Sequence, residues 1–148
     1  MEKRKALVFG ATGLIGKSLT EQLIASDSYS AITVFTRRPA ELNSVKIKVV
    51  VTDFKDIAAI NQGLSGDDLY ICIGTTIKKA GSIRAMEETD RDLPVSIAAA
   101  AKKNGVKRVA VVSSIGASAS SSNYYLRIKG EMEKGILDAG FSRTILAR

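Results

Sequence analysis

Residues 5–18, KALVFGATGLIGKS, decide the fold. Four apolar residues, Ala6 to Phe9, run straight into glycines at 10, 13 and 16, and Ile15, Leu19 and Leu23 then recur at helical spacing. The pattern predicts a strand, a tight glycine turn and a helix. In that setting Gly10 permits the turn, Gly13 lets a pyrophosphate approach the backbone, and Gly16 lets the helix pack closely on the sheet. The exposed amides and the positive end of the helix dipole then face the phosphates, with Thr12, Leu14 and Ile15 in the same cradle. A glycine turn in an α/β protein can exist without a ligand. This one follows a strand, opens a helix and is spaced G-x-x-G-x-x-G, so it is read as a dinucleotide site.

Working outward, the first helix fades around residues 26–30, and AITVFTRR follows as a β-branched strand ending in Arg37 and Arg38. The second strand of such a fold ends beside the adenosine ribose, where an acidic residue binds the 2′-hydroxyl and an arginine accepts a 2′-phosphate. No acidic residue ends this strand, so the arginine pair favours NADP(H) over NAD(H); the plainer reading is two surface charges. KIKVVV at 46–51 predicts a third strand, with Asp53 at its carboxyl end and a short helix over 54–62. Asp53 can accept from the adenine amino group or cap that helix, and both readings fit.

Residues 68–73 predict a fourth strand, followed by Gly74, Thr75 and Thr76, where the backbone would pass the cofactor's ribose and nicotinamide half. Cys72, between isoleucines in that strand, reads as a small buried apolar residue rather than a nucleophile. Residues 77–89 read as a loop leading into a helix whose apolar face is Leu93, Ile97, Ala100 and Ala101, ending at Asn104-Gly105. Pro94 is tolerated there only if Asp92 is the N-cap or an earlier helix kinks. A fifth strand, 107–112, ends in Ser113-Ser114; a serine-rich loop too short for a domain boundary leads to a helix from Tyr124, and RTILA begins a sixth strand.

Tyr125 and Lys129 are four residues apart on the last helix, hence on one face. An ammonium near a phenol favours the phenolate, so such a tyrosine can exchange a proton with a carbonyl oxygen, while the ammonium also holds a ribose hydroxyl. Ser114, or less favourably Ser113, would polarise the same oxygen as a nicotinamide delivers hydride. Tyr-x-x-x-Lys alone occurs by chance on many helices. Its order after a glycine turn, a Gly-Thr-Thr strand end and a Ser-Ser strand end makes it specific.

GATGLIG, the arginine pair, VVSSIGAS, Thr89-Asp-Arg-Asp92 and the Tyr-Leu-Arg-Ile-Lys-Gly-Glu segment together resemble the short-chain dehydrogenase/reductase superfamily, in its atypical NAD(P)-binding, Tat-interacting oxidoreductase-like branch. The resemblance covers essentially the whole chain. It implies a Rossmann-like doubly wound parallel sheet in the order 3-2-1-4-5-6, NADPH at the glycine turn, and catalytic roles for Ser114, Tyr125 and Lys129. It also implies that the helix carrying Asp90 lies near the nicotinamide. Relatives usually continue past the ILAR segment into a lobe that closes over substrate, so that C-terminal lobe is expected to be missing from residues 1–148. An unfinished sheet edge suggests homo-oligomerisation or a longer protein.

The totals set bounds. The 148 residues suit one domain, with one cysteine and hence no internal disulfide. No secretory leader and no span of about 18 apolar residues is apparent, so a cytoplasmic protein without membrane association is expected. The net charge of +7 is scattered in short groups, without tryptophan, zinc-type spacing or base-stacking aromatic strands, which disfavours specific nucleic-acid binding. Two functions follow: an NADPH-dependent reductase of a small carbonyl compound, or an NADPH-binding regulatory or scaffold module without turnover.

Overall fold

The computed structural model describes residues 1–75 and 77–148, with side chains at all of these except 58, 59, 62 and 77. Its strands are β1 (Arg4–Phe9), β2 (Tyr29–Thr36), β3 (Ile47–Val51), β4 (Asp68–Ile71), β5 (Arg108–Val112) and β6 (Arg143–Ala147). They form one sheet in the order β3-β2-β1-β4-β5-β6, and every neighbouring pair is parallel. The two-residue period of a strand sends its side chains to opposite layers. Thus Leu7 and Phe9 enter one apolar cluster with Ile97, Ala98 and Ala101, while Ala6 and Val8 enter another with Leu23, Ile32 and Val34. Phe9 and Phe35 stack at 4.4 Å between centroids, fixing β1 against β2.

Among the described residues, the α-helices between the strands are α1 (Leu14–Ala25), α2 (Ile57–Ile60), α3 (Ile77–Ala80), α4 (Ile83–Glu87), α5 (Leu93–Lys103) and α6 (Tyr124–Asp138). The helix expected over 54–62 is shorter than its sequence suggested. Phe54 takes a positive φ of 63°, and the amides of Phe54 and Lys55 turn back to the side chains of Thr52 and Asp53. Asp53 therefore closes a turn and does not cap α2, which begins only at Ile57. β4 likewise stops at Ile71, so Cys72 lies just past the strand and is half-buried. Burial pushes its thiol up to about 11, which keeps it protonated at neutral pH.

The segment expected to be a loop contains α3 and α4, and α4 runs through a π-helical turn, Glu88–Asp92, into α5. This resolves Pro94: an earlier helix continues through it, and Asp92 supplies no side-chain cap. A proline has no N–H to return to the carbonyl four residues back and clashes with it in a regular α-helix. The wider turn just before Pro94, with Leu93 N–H bonded to the Glu88 carbonyl, loosens the helix where that clash would fall.

The serine-rich segment is no linker. Ser118 N–H bonds the Leu126 carbonyl at 3.1 Å, and a Cβ on Gly130 would come within 2.2 Å of the backbone at Ser118 and Ala119. Only glycine lets this loop lie directly on α6. At the amino-terminal end of the sheet, Asp68 is 4% exposed and gathers Arg4 at 2.8 Å, Arg108 and the Tyr29 hydroxyl at 2.5 Å. It ties together the starts of β1, β2, β4 and β5.

Candidate functional site

The carboxyl ends of β1 and β4 are neighbours in the sheet although far apart in sequence, so the chain leaves them towards different crossovers and a crevice opens between. On its first side lies the glycine turn. Gly10 has φ +85° and would press a Cβ to 2.6 Å from the Cys72 backbone; a Cβ on Gly16 would come 1.8 Å from the Gly10 carbonyl. These two positions admit no other residue without backbone movement. A Cβ on Gly13 would meet only the Gly10 carbonyl at 3.6 Å, so the turn's outer face is open.

Gly13 is the N-cap of α1 and no side chain caps it, while the first amide in the helical ladder is that of Lys17, bonded to Gly13. By helix geometry the amides of Leu14, Ile15 and Gly16 lack intrahelical partners and point outward at the positive end of the dipole. This donor set fits a pyrophosphate. Thr12, Leu14 and Ile15 stand exposed around it. Arg37 and Arg38 stand exposed just past β2, where the buried Thr36 hydroxyl donates to the Arg38 carbonyl at 2.6 Å and shapes their turn. Asp53 is exposed past β3.

On the second side, Gly74 and Thr75 follow β4; Thr76, expected beside them, lies outside the described residues. Tyr125 is half-buried on the first turn of α6, whose N-cap Asn123 accepts the Leu126 amide at 3.0 Å. One turn on, Lys129 is 2% exposed, with its ammonium 5.8 Å from the Tyr125 ring centroid. A charge buried this deeply needs a partner. That partner is Asp90, itself 0% exposed, 3.1 Å from Lys129 Nζ.

The two serines separate clearly. Ser113 Oγ donates to Glu133 at 2.5 Å, and Glu133 is also held by Arg148 at 2.6 Å. The Arg148 guanidinium holds the Glu133 carboxyl below the usual carboxylate range, with the Ser113 hydroxyl helping. Among the described residues Ser114 Oγ meets only the carbonyl of its neighbour Ile115, at 3.4 Å. Ser113 is thus occupied and Ser114 is available. The spacing Tyr125, Lys129, Glu133 repeats every four residues on α6, a signal that could have exposed Glu133's role in the sequence. Nothing local could have paired Lys129 with Asp90.

A parallel sheet in this order, with an uncapped glycine turn at its switch point, defines a Rossmann-type nucleotide-binding protein. Residues 10–147 match the family described as NAD(P)H-binding, and the chain belongs to it. It is 35% identical over 146 residues to Protein FMP52, mitochondrial, of Candida albicans, covering 95% of this chain and 64% of that protein. It is 32% identical to Protein HTATIP2 of Rattus norvegicus, covering 100% of this chain and 62% of that one. The chain thus spans somewhat less than two thirds of these curated relatives. Among solved structures, the Bordetella bronchiseptica enzyme WbmG in complex with NAD superposes with a TM-score of 0.80 at 14% identity, over 99% of this chain and 53% of WbmG. MoeE5 in complex with UDP-glucose and NAD gives 0.77 at 18% identity, over 95% and 52%. These likenesses are of fold.

The cytoplasmic expectation is corrected by these relatives, since the fungal proteins are named mitochondrial. Among the described residues no helix is long and apolar enough to cross a membrane.

Proposed function

We propose that residues 1–148 form one NAD(P)-binding domain of an NADPH-dependent oxidoreductase that transfers hydride to a small carbonyl substrate. The observation that carries this reading is Lys129, a buried ammonium one helical turn from Tyr125 and 3.7 Å from the place a Cβ on Gly74 would occupy. A phenol and an ammonium thus lie together at the end of β4, the end of the sheet where the glycine turn also lies, which supports reading them as a proton donor and a ribose ligand. The cofactor supplies the hydride when bound. Gly10, Thr12, Gly13, Leu14, Ile15 and Gly16 would cradle its pyrophosphate, and Arg37 with Arg38 would read a 2′-phosphate. Asp53 would meet the adenine, and Gly74, Thr75 and Thr76 would pass the nicotinamide half.

Tyr125 would protonate the substrate oxygen, Lys129 would hold the ribose, and Ser114 would donate a hydrogen bond to the same oxygen. Ser114 is preferred over Ser113 because Glu133 already engages the latter. The test is a fluorescence titration of the chain with NADPH, NADP, NADH and NAD, followed by a carbonyl panel under NADPH consumption. Saturable binding with preference for the phosphorylated forms, and turnover abolished by Tyr125→Phe, is the expected result. Binding without turnover of any carbonyl favours a nucleotide-responsive regulatory module; no binding by folded protein overturns both.

A further inference from the structure

The turn after β2 is shaped by a residue that carries no charge. Thr36 closes the strand: it pairs with Val51 of β3, its carbonyl accepts the Thr52 amide at 2.8 Å, and it is only 6% exposed. From that fixed point its hydroxyl donates to the Arg38 carbonyl at 2.6 Å. The chain is thus tied back to the sheet two residues after leaving it.

The next residue gives the tie its consequence. Arg38 precedes Pro39, so the peptide between them has a carbonyl and no N–H. Its one polar group is an acceptor, whose partial negative charge a phosphate avoids. Thr36 takes up that acceptor and draws it toward the strand end. The same proline keeps Arg38 out of the helical region of backbone space, which leaves the turn fewer arrangements.

Arg37 and Arg38 are both exposed, and among the described residues neither guanidinium has a hydrogen-bond or ion-pair partner. Asp53, exposed past β3, turns its carboxylate to the Lys55 amide instead. Two adjacent cations without a carboxylate between them repel each other, and a dianion seated against both relieves the repulsion. The turn therefore offers two unpaired guanidiniums on a backbone held at Thr36 and stiffened at Pro39, with its carbonyl already occupied.

We propose that Thr36 is a specificity-determining residue for the cofactor: by engaging the Arg38 carbonyl it clears the turn of an acceptor and fixes the backbone from which the two guanidiniums reach a monoester phosphate, the 2′-phosphate that separates NADP(H) from NAD(H). The inference rests on the reading of Arg37 and Arg38 as ligands of that phosphate. Thr36 itself makes no contact with it.

The test titrates the full chain with NADPH and NADH, and with 2′,5′-ADP and 5′-AMP, which differ by the 2′-phosphate alone. Thr36→Val keeps the β-branched shape and removes the hydroxyl; Thr36→Ser keeps the hydroxyl. The expected result for Thr36→Val is binding of NADPH and 2′,5′-ADP weaker by about fivefold or more, with NADH and 5′-AMP within about twofold of wild type. Thr36→Ser should stay within about twofold for all four ligands. In a background of Arg37→Ala with Arg38→Ala, Thr36→Val should change NADPH affinity by no more than about twofold, because the groups it acts through are gone. Losses shared equally by NADH, unchanged NADPH binding in folded Thr36→Val, a Thr36→Ser protein as weak as Thr36→Val, or a larger further loss in the arginine-free background each overturn the assignment while leaving the arginine reading intact. Wild-type protein that binds NADPH and NADH alike overturns the arginine reading and this inference with it. Should Thr36→Val not fold, Thr36→Ala takes its place in the same comparison.

Discussion

Two buried carboxylates stand at opposite ends of β4, and they are held in different ways. Asp68, at the strand's start, is 5% exposed by side chain and has two arginines, Arg4 and Arg108, each more than a third exposed, with the Tyr29 hydroxyl besides. Asp90, just past its end, has one cation, Lys129, 3% exposed, and one backbone amide. The first arrangement is redundant and partly solvated. Among the described residues the second has no spare partner, and burial of both charges makes each depend on the other. Redundancy suits a structural fastening between strand starts, while a single dry pair suits a site where one ammonium must stay in one place.

The largest effect expected from this contrast is at Lys129. Lys129→Met leaves the Asp90 carboxylate buried beside a methyl group, and denaturant unfolding should show a loss of about 3–5 kcal/mol. If the loss is under 1 kcal/mol, the pair is not dry and the contrast fails. Tyr125→Phe should confine its damage to chemistry: a turnover loss of about 10²–10⁴-fold in the carbonyl assay, with NADPH affinity and melting temperature nearly unchanged. Comparable loss of NADPH affinity would show that the phenol serves binding instead.

Arg37→Ala should weaken NADPH by about tenfold and leave NADH unchanged in parallel titrations, since only the former carries the 2′-phosphate. At the other end of β4, Arg4→Ala should cost within about 1 kcal/mol, because its partner keeps Arg108 and water screens the exposed guanidinium. A larger cost would make Asp68 as dependent on one partner as Asp90.

The smallest effect should be the most dependent on pH. Glu133 is held below its ordinary carboxylate value by Arg148 and Ser113, so the stability it contributes is present above about pH 4.3, the unfolded value, and is lost as pH falls through the folded one. Arg148→Ala should therefore raise the midpoint of acid unfolding, followed by circular dichroism. An unchanged midpoint would remove Arg148 as the cause.

The glycine turn was legible because its requirements are met by residues adjacent in the chain: an apolar strand, a left-handed Gly10, a side-chain-free Gly16 and the first turn of α1. The six strands were legible for the same reason. Boundaries failed where a local device intervened. The helix after β3 is cut short by the positive φ of Phe54, and the expected loop at 77–89 contains helices continuous with α5 through the π turn. Tyr125 and Lys129 could be placed on one helical face from their spacing, yet their surroundings could not.

The sequence by itself determined the class of protein, a doubly wound parallel sheet with a glycine turn opening its first helix, because strand periodicity and turn chemistry are short-range properties of the chain. The tertiary structure decided the rest: that Lys129 is met by Asp90, that Ser113 is taken by Glu133 and Ser114 is not, and that Pro94 sits behind an underwound turn. Each of these depends on which side chains distant in sequence are brought within about 3 Å of each other in a dry interior, where a charge or hydroxyl must find its partner. Spacing along one helix gives the direction of a side chain, and only the packing of the other elements says what stands there to meet it.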